Sequence, residues 1–335
     1  MNLGAYFMST DSDQLVESVQ AAERAGYARA WLNDAHTLWQ DVYIHMTRVL
    51  ERTSTIMVGS GVTNPVTRHF SVAASAAGTL AQLHPGRVVL GLGRGDASVH
   101  TMGVAPMKLA EFGRQTRLIR MLLDGKKVSA VEGKEFEIRW LGDSHVPIMI
   151  GATGPKNLRL AGGVADIVQI EVGVSEAAIR WATENIRAGA EDAGRDPADV
   201  EISVVCAMWV SDDLDEARAR CRWAAASAAN HIEEVMARPG HNMPEEMTGL
   251  VERRQEMKGG HNYDAHLDES DEETAFLTDE LIDNYAIAGD AERCRERVEA
   301  LGKLGVTEVA SGFLNGEHDQ ISRVGEGIIA PMLNT

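Results

Sequence analysis

The feature that most constrains the fold is a regular alternation of short apolar runs with amphipathic segments. Eight runs of six to ten residues are rich in Val, Ile, Leu and Ala, and most are continuous rather than alternating with polar residues. Continuous apolar runs are typical of parallel strands that are buried on both faces. The predicted strands are 3–9, 28–33, 55–62, 87–93, 147–152, 166–172, 201–210 and 307–314.

Segments with apolar residues at helical spacing follow these runs. The predicted helices are 13–25, 41–53, 69–83, 108–123, 155–162, 176–193, 213–235, 291–304 and 318–333. Eight strands that are each followed by a helix favour a (β/α)8 TIM barrel of the α/β class. A doubly wound dinucleotide fold is the alternative. We expect residues 1–335 to form a single domain, since α/β barrels of this length are common.

Residues 231–280 interrupt this rhythm before the last strand. They contain 14 Asp or Glu against 4 Lys or Arg, and hence a net charge of −10. An insertion here would shape the substrate mouth of the barrel or an oligomer contact, and the alternative is a solvated loop with short helices. Three of its histidines (His241, His261 and His266) lack metal-ligand spacing, so we predict no metal site.

Charge and cysteine content exclude several functional classes. The chain has 32 Lys and Arg against 50 Asp and Glu, a formal net charge of −18. Nucleic acids and anionic membranes select clustered basic residues, so neither is an expected partner. The sequence has no run of about 18 apolar residues and no signal-peptide pattern. Its three cysteines lack CxxC spacing, which favours a reducing cytoplasm.

Polar and glycine residues concentrate where the predicted strands end, which is where barrels carry their chemistry. The titratable residues at these ends are Asp34, His36, Asp96 and Glu171. A side chain of this kind can donate or accept a proton when its pKa is tuned, and we take Asp96, His36 and Glu171 as the catalytic candidates. The alternative is that each only caps a turn or lies on the surface. Trp39 is positioned to form a wall for an aromatic ligand.

Two glycine-containing motifs indicate ligand contacts. The segment Gly91-Leu-Gly-Arg94-Gly-Asp96 lacks the spacing of a dinucleotide fingerprint, and it indicates either close approach to a planar ligand or a plain tight turn. In Gly151-Ala-Thr153-Gly154-Pro155-Lys156, proline stands at a predicted first helical position. The amides of such a helix start bind phosphate, and Thr153 or Lys156 could add contacts. A plain helix cap is the alternative. Motifs of P-loop NTPases, zincins and α/β-hydrolases are absent.

The run from Gly59 to His69 (GSGVTNPVTRH), together with Gly86 to Asp96 (GRVVLGLGRGD), resembles the bacterial luciferase-like superfamily. It is most similar to the coenzyme F420-dependent branch, which includes methylenetetrahydromethanopterin reductase. The segments 151–157, 161–166 and 285–290 also fit the family pattern. The resemblance spans nearly the whole chain apart from 231–280.

This resemblance implies a TIM barrel that binds a deazaflavin or flavin at the strand ends. It implies a cis peptide at Gly61–Val62, which bulges against the back of the ring. The other cofactor-binding positions that it implies, taken with the two motifs above, are Asp34, Thr63, Asn64, Arg94, Thr153, Gly154, Pro155 and Lys156. Asp96 and Trp39 correspond to an acidic and an aromatic position beside the reacting ring. The branch of this superfamily that oxidises a sugar phosphate has Asp-His where this chain has Asp34-Ala35-His36. Because of this difference, the resemblance does not extend clearly to the oxidation of a sugar phosphate.

Three functions follow as hypotheses. The first is an F420-dependent oxidoreductase that transfers a hydride between the deazaflavin C5 and a small organic substrate. The second is a luciferase-like monooxygenase that uses reduced FMN and oxygen, and the third is a catalytically silent ligand-binding barrel. We also expect a homodimer, because the Ala-rich helix that contains Val72, Ala73, Ala76 and Ala77 permits close helix approach.

Overall fold

Eight parallel strands form a closed barrel in the computed structural model, which describes residues 1–131, 133–142, 144–237, 240–258 and 277–333. The barrel strands, in order around the sheet, are β1 (Asn2–Phe7), β2 (Arg29–Leu32), β3 (Met57–Ser60), β4 (Val88–Leu92), β7 (Ile148–Ala152), β8 (Ile167–Ile170), β9 (Glu201–Val210) and β11 (Glu308–Phe313). Pairing of β11 with both β9 and β1 closes the ring. The TIM-barrel prediction is therefore confirmed, and the doubly wound alternative is wrong.

Helices follow the barrel strands and pack around the sheet. The helices are α1 (Ser12–Arg24), α2 (Val42–Arg52), α3 (Phe70–Leu83), α4 (Ala97–His100), α5 (Leu109–Leu123), α6 (Pro155–Val164), α7 (Glu176–Asp192), α8 (Leu214–Met236), α9 (Glu245–Lys258), α10 (Asp279–Tyr285), α11 (Ala291–Lys303), α12 (His318–Val324) and α13 (Ala330–Leu333), with a π-helical turn Gly325–Ile329 between the last two and a 3₁₀ turn at Pro197–Asp199. Among the described residues, no helix has both the length and the apolar character needed to cross a bilayer.

Three strands lie outside the sequence prediction. A hairpin of β5 (Val128–Val131) and β6 (Lys134–Phe136) connects α5 to β7. The third, β10 (Ala286–Gly289), pairs with the second half of β9, beyond the part of β9 that pairs with β11. Of the predicted insertion 231–280, the structure shows the end of α8, all of α9 and the start of α10. Residues 238–239 and 259–276, which include His261 and His266, lie outside the described residues.

Alternation along the strands produces two apolar layers. On β1, Leu3, Ala5 and Phe7 belong to the large core between sheet and helices, whereas Tyr6 faces the barrel interior. The interior layer is small and consists of Trp31, Val89, Met149, Ile167 and Ala310, with Tyr6, Met57, Val62 and Val205 against it. Both faces of the sheet are thus covered, which explains why the strands read as continuous apolar runs.

A buried carboxylate, Glu308, is the centre of a hydrogen-bonded cluster at the amino-terminal end of the barrel strands. Its side chain is fully buried and accepts hydrogen bonds from Arg29 Nη1 (3.0 Å), Trp31 Nε1 (3.0 Å) and Ser203 Oγ (2.8 Å). Arg29 also pairs with the half-exposed Glu201 at 2.7 Å. Burial works to lower the pKa of Arg29, but the two carboxylates outweigh it and raise that pKa, so the guanidinium stays charged.

The same hydrogen-bond network continues from Ser203 toward the carboxyl ends of the strands. Gln169 Nε2 donates to Ser203 Oγ (3.3 Å), and the Tyr6 hydroxyl donates to Gln169 Oε1. Burial, followed by the charges of Glu171 and Glu308, holds the pKa of Tyr6 well above its ordinary value, so the phenol keeps its proton. A Cβ at Gly61 would lie 2.3 Å from the Tyr6 ring, so only glycine fits above it.

Replacing Arg29 by methionine should strongly destabilise the barrel, because Glu308 would remain buried without its counter-charge. We expect Arg29→Met to lower the free energy of unfolding by about 3–5 kcal/mol, as for other broken buried pairs. Urea unfolding followed by circular dichroism measures this. The double variant Arg29→Met with Glu308→Gln should recover part of the loss, because it removes both charges. The control Arg48→Met, which breaks the exposed pair with Asp13, should cost at most about 1 kcal/mol. Equal losses in the two single variants would contradict the prediction.

Candidate active site

The carboxyl ends of the barrel strands surround a cavity of about 960 Å³. Of the fourteen site residues predicted from the sequence, twelve line this cavity: Asp34, Trp39, Gly61, Val62, Asn64, Arg94, Asp96, Thr153, Gly154, Pro155, Lys156 and Glu171. Closure of the barrel explains this convergence, because parallel strands present all their carboxyl ends on one side. The remaining two residues, His36 and Thr63, lie outside the cavity lining.

A bulge after β3 forms one wall of the cavity. The Gly61–Val62 peptide is cis, as predicted. The backbone of Thr63 pairs with β4, since its N–H donates to Gly91 O (3.0 Å) and its carbonyl accepts from Gly93 N (2.8 Å). A Cβ at Gly93 would lie 2.6 Å from Val62 Cγ2, so glycine there makes room for Val62. Thr63 is thereby buried beneath the wall, and Val62 presents an apolar surface to the cavity.

Asp34 is a buried acid at the edge of the same wall. Burial raises its pKa above the ordinary value, and the Thr63 hydroxyl and the Arg68 guanidinium only partly offset this effect. Asp34 Oδ2 has no hydrogen-bond partner among the residues that the structure describes. A buried acceptor or donor of this kind is expected to pair with a bound ligand.

His36 is the one catalytic candidate that lies outside the cavity lining. After β2 the chain turns Asp34 and Ala35 inward, where Ala35 is buried, and this turn leaves the His36 side chain exposed on the outside. The prediction that His36 transfers a proton is therefore not supported by its position. Trp39, four residues beyond Ala35, does line the cavity.

Two predicted cofactor contacts use their polar atoms within the protein. Asn64 Oδ1 accepts from the amides of Val66 and Thr67 (both 3.0 Å), while its Nδ2 donates to Ser98 Oγ (2.9 Å). Asn64 thus ties the turn after β3 to α4. In the loop after β4, Arg94 Nε donates to the Met107 carbonyl (2.7 Å). Both residues line the cavity and also hold its loops in place.

The start of α6 forms a second wall. Gly154 is the N-cap residue, Pro155 is the first helical residue, and no side chain caps the helix. Thr153, Lys156 and Asn157 complete this part of the lining. An uncapped helix start offers backbone N–H groups and the positive end of the helix dipole to an anion. The position of Lys156 adds a positive charge at the same end of the cavity.

The strand ends next to these walls, together with α8, bear a cluster of two carboxylates and an imidazole. His231, on α8, places Nε2 3.2 Å from Asp96 Oδ2 and Nδ1 3.1 Å from Glu171 Oε2. Asp96 precedes α4, while Glu171 directly follows β8. Ser227, one turn before His231, donates to Glu171 Oε1 at 3.0 Å. Sequence reasoning found both acids but missed the imidazole between them.

The cluster changes the ionisation of its members. Burial works against a charged His231, but the Glu171 carboxylate and hydrogen bonds to Asp96 and Glu171 outweigh it and hold the pKa of His231 well above its ordinary value. Burial alone would raise the pKa of Glu171, but the His231 charge and the hydrogen bonds from His231 and Ser227 lower it. The arrangement thus favours an imidazolium between two carboxylates.

Asp96 is the most accessible acid of the cluster, with 41% of its side chain exposed. Its other oxygen lies 3.3 Å from His100 Nδ1, one turn along α4. Glu234 of α8 is also near, since atoms of Asp96, His100 and Glu234 lie within 4.8 Å of one another. Although Asp96 occupies the N-cap position of α4, its side chain makes no capping hydrogen bond. The capping alternative for Asp96 is therefore not supported.

One face of α8 supplies six lining residues that the sequence did not reveal. The helix residues Arg220, Trp223, Ser227, His231, Glu234 and Val235 all line the cavity. The opposite face is alanine-rich and buried. Polar and aromatic residues at helical spacing indicated this face in the sequence. A search limited to the residues that follow each strand does not include the middle of a helix. Arg220 also lies over the Trp209 ring, 5.1 Å from its centroid.

Comparisons with known proteins agree with this architecture. The profile of the family described as luciferase-like monooxygenase matches residues 4–308. The 5,10-methylenetetrahydromethanopterin reductase of Methanolobus tindarius is 32% identical over 98% of this chain and 100% of its own length. The F420-dependent hydroxymycolic acid dehydrogenase of Mycobacterium tuberculosis is 33% identical, over 65% of each chain.

Among solved structures, a similar one is the coenzyme F420-dependent tetrahydromethanopterin reductase from Methanopyrus kandleri. It superimposes with a TM-score of 0.77 at 22% identity, covering 98% of this chain and 99% of that one. At this level of identity the match establishes the fold, a barrel with the same closure.

Proposed function

Because the chain belongs to the luciferase-like monooxygenase family, we propose that it is an oxidoreductase that uses coenzyme F420. It transfers a hydride between the deazaflavin C5 and a small organic substrate. The observation that carries this proposal is that one cavity is lined by two chemically unlike groups of residues, which alternate around the strand ends. The apolar bulge and the uncapped helix start make up the first group, which we call the cofactor half, and the cluster of Asp96, His231 and Glu171 makes up the second, the substrate half.

The first half fits the cofactor. Val62 would support the back of a planar ring, and the unpartnered Asp34 Oδ2 would meet a polar group at its edge. The amides at the start of α6, with Lys156, would hold the phosphate of its side chain. When bound, the deazaflavin supplies or accepts the hydride.

The second half fits the other requirements of the reaction. A substrate that gains or loses a hydride at carbon also exchanges a proton, and a positioned acid or base accelerates that exchange. Asp96 lines the cavity and is the most accessible acid of the cluster, so it is the group that we assign to the proton. Glu171 is held ionised by His231 and serves as its charge partner. Trp39 and Trp223 line the cavity and limit the water in it.

The proposal predicts selective binding of F420. Titration by fluorescence quenching should show tighter binding of F420 than of FMN. Lys156→Met should weaken F420 binding by about tenfold to hundredfold, as for the loss of one hydrogen bond to a charged group. Lys303→Met, at the end of α11, is the matched control and should leave binding unchanged. Tight FMN binding without F420 binding would support the flavin monooxygenase instead, and binding of both without turnover would indicate a silent barrel.

The assignment of Asp96 predicts a defect in turnover rather than in binding. Asp96→Asn should leave the affinity for F420 nearly unchanged and lower kcat by about 10²–10⁴-fold, because general acid–base catalysis contributes that much. Steady-state kinetics at saturating F420 and substrate measure the effect. Asp192→Asn, on the outer helix α7, is the matched control. A loss in Asp96→Asn smaller than about threefold would remove Asp96 from the mechanism.

We also propose that the protein is a homodimer. Ile44 on α2 and Val72 on α3 are 65% and 54% exposed, while Ala73 and Ala77 are buried within the protomer. The exposed face of α3 that is available for a dimer contact is therefore narrower than its alanine-rich sequence indicated. Ile44→Glu with Val72→Glu should give a monomer by sedimentation at micromolar concentration, and Leu333→Glu, also exposed, should not. A monomeric parent protein would contradict this proposal.

Two broader expectations complete the proposal. The three cysteines (Cys206, Cys221 and Cys294) are free and buried, which supports a reducing cytoplasm as the compartment. Residues 1–335 are proposed to act as one domain in which the segment 231–280 is an insertion. The contact of His231 with strand-end residues supports the view that this insertion helps to shape the mouth.

A further inference from the structure

His231 is the only described residue that joins the two acids across the cavity. Its Nε2 lies 3.2 Å from Asp96, which belongs to the loop after β4. Its Nδ1 lies 3.1 Å from Glu171, which follows β8. The loops after β4 and β8 are separated by β7 in the barrel, and α8 brings the imidazole to both.

The protonation of this bridge follows from the donors and acceptors available. An ionised carboxylate only accepts hydrogen bonds, and a neutral imidazole donates from one nitrogen alone. With a carboxylate oxygen near each nitrogen, only an imidazolium carries a proton on both: it donates a hydrogen bond to Asp96 and lies at ion-pair distance from Glu171. Such charge-assisted hydrogen bonds are about twice as strong as neutral ones. The side chain of His231 is only 27% exposed, so water competes weakly for them.

We infer that His231 is a positioning residue, whose imidazolium holds the Asp96 and Glu171 carboxylates at fixed places in the substrate half of the cavity. This inference rests on the proposed function, because Asp96 acts there on the substrate. Without His231 the two carboxylates would share one side of the cavity with no charge between them. Asp96 would then lose its fixed orientation toward the substrate.

The surroundings of the bridge do not supply a substitute cation among the described residues in contact with His231. Its direct charged partners are Asp96 and Glu171. Two further titratable groups lie near Asp96, which are His100 on α4 and Glu234 on α8 itself. The other titratable groups that line the cavity are Tyr6, Asp34, Arg94, Lys108, Lys156, Arg220, His241 and Glu317.

The stability that the His231 imidazolium contributes depends on pH. A histidine whose pKa is raised in the folded protein contributes stability that is complete below its unfolded value of about 6.5. That contribution is lost as the pH rises through the folded value. The raised pKa of His231 therefore extends the pH range of the bridge above the range of an ordinary histidine, and the bridge is lost as the pH rises through the folded value.

The first experiment measures the bridge without cofactor or turnover. In ¹⁵N-histidine-labelled protein, NMR titration should show one imidazole that titrates well above 6.5, assigned to His231 by its absence from His231→Gln. Its pKa should fall in Asp96→Asn and also in Glu171→Gln, since each variant removes one carboxylate. His84→Gln, at the opposite end of the barrel after α3, should leave it unchanged. A His231 that titrates at or below 6.5, or that ignores both carboxylate variants, would overturn the inference.

The second experiment tests whether the bridge positions Asp96 for the reaction. His231→Gln should lower kcat by about tenfold to hundredfold, as misplacement of a catalytic group does, with KM changed by less than about threefold. The parent enzyme should lose kcat at alkaline pH near the pKa measured by NMR, and His231→Gln should lack that limb. An unchanged kcat and pH profile in His231→Gln would overturn the positioning role. If His231→Gln does not fold, Glu171→Gln tests the same limb, which should move to lower pH.

These outcomes separate the inference from the proposed function. Absence of F420 binding in the parent protein would refute the function, whatever the NMR titration shows. F420 turnover with an ordinary His231 pKa would refute the bridge and leave the function standing.

Discussion

Closure of eight parallel strands is the constraint on which the rest of the structure depends. Since every barrel strand runs in the same direction, residues that follow β2, β3, β4, β7 and β8 meet around one cavity although they are far apart in sequence. The closed ring also leaves a narrow interior that must be filled by side chains. Glycines at 61 and 93 show how little room remains, because a Cβ at either would contact Tyr6 or Val62 within 2.6 Å.

The polar chain in the barrel interior connects this constraint to the site. Glu308 is held by Arg29, and the hydrogen bonds then pass through Ser203 and Gln169 to Tyr6 beneath the Gly61–Val62 bulge. Each side chain in this network provides a hydrogen-bond partner for its neighbour. Without that partner the neighbour would be a buried, unsatisfied polar group, which would lower the stability of the fold. The wall of the cofactor half therefore rests on a network that reaches the opposite end of the barrel, so its position is determined by the fold rather than by a surface loop.

The fold was predictable from the sequence because strands buried on both faces leave a strong apolar signal, and all eight barrel strands carried it. Strand-end logic then located Asp34, Asp96 and Glu171. It also selected His36, which lies outside the cavity lining, because a two-residue inward turn at Asp34 and Ala35 cannot be read from composition. It also missed His231, since a helix residue reaches the cavity only through the path of α8. Short β10 and the hairpin β5–β6 were missed because their residues lack a long apolar run.

The two halves of the cavity differ in what the fold fixes. The residues of the cofactor half lie on strand ends whose backbone pairs with neighbouring strands, as Thr63 does with β4, so a change there disturbs the sheet. The substrate half combines such residues with one exposed face of α8, whose other face packs into the core through alanines. Side chains on the exposed face can change without altering the sheet. A barrel of this kind can therefore keep its cofactor site while substitutions on α8 change the charge and shape presented to the substrate. His231 connects α8 to the strand ends, because it contacts both Asp96 and Glu171.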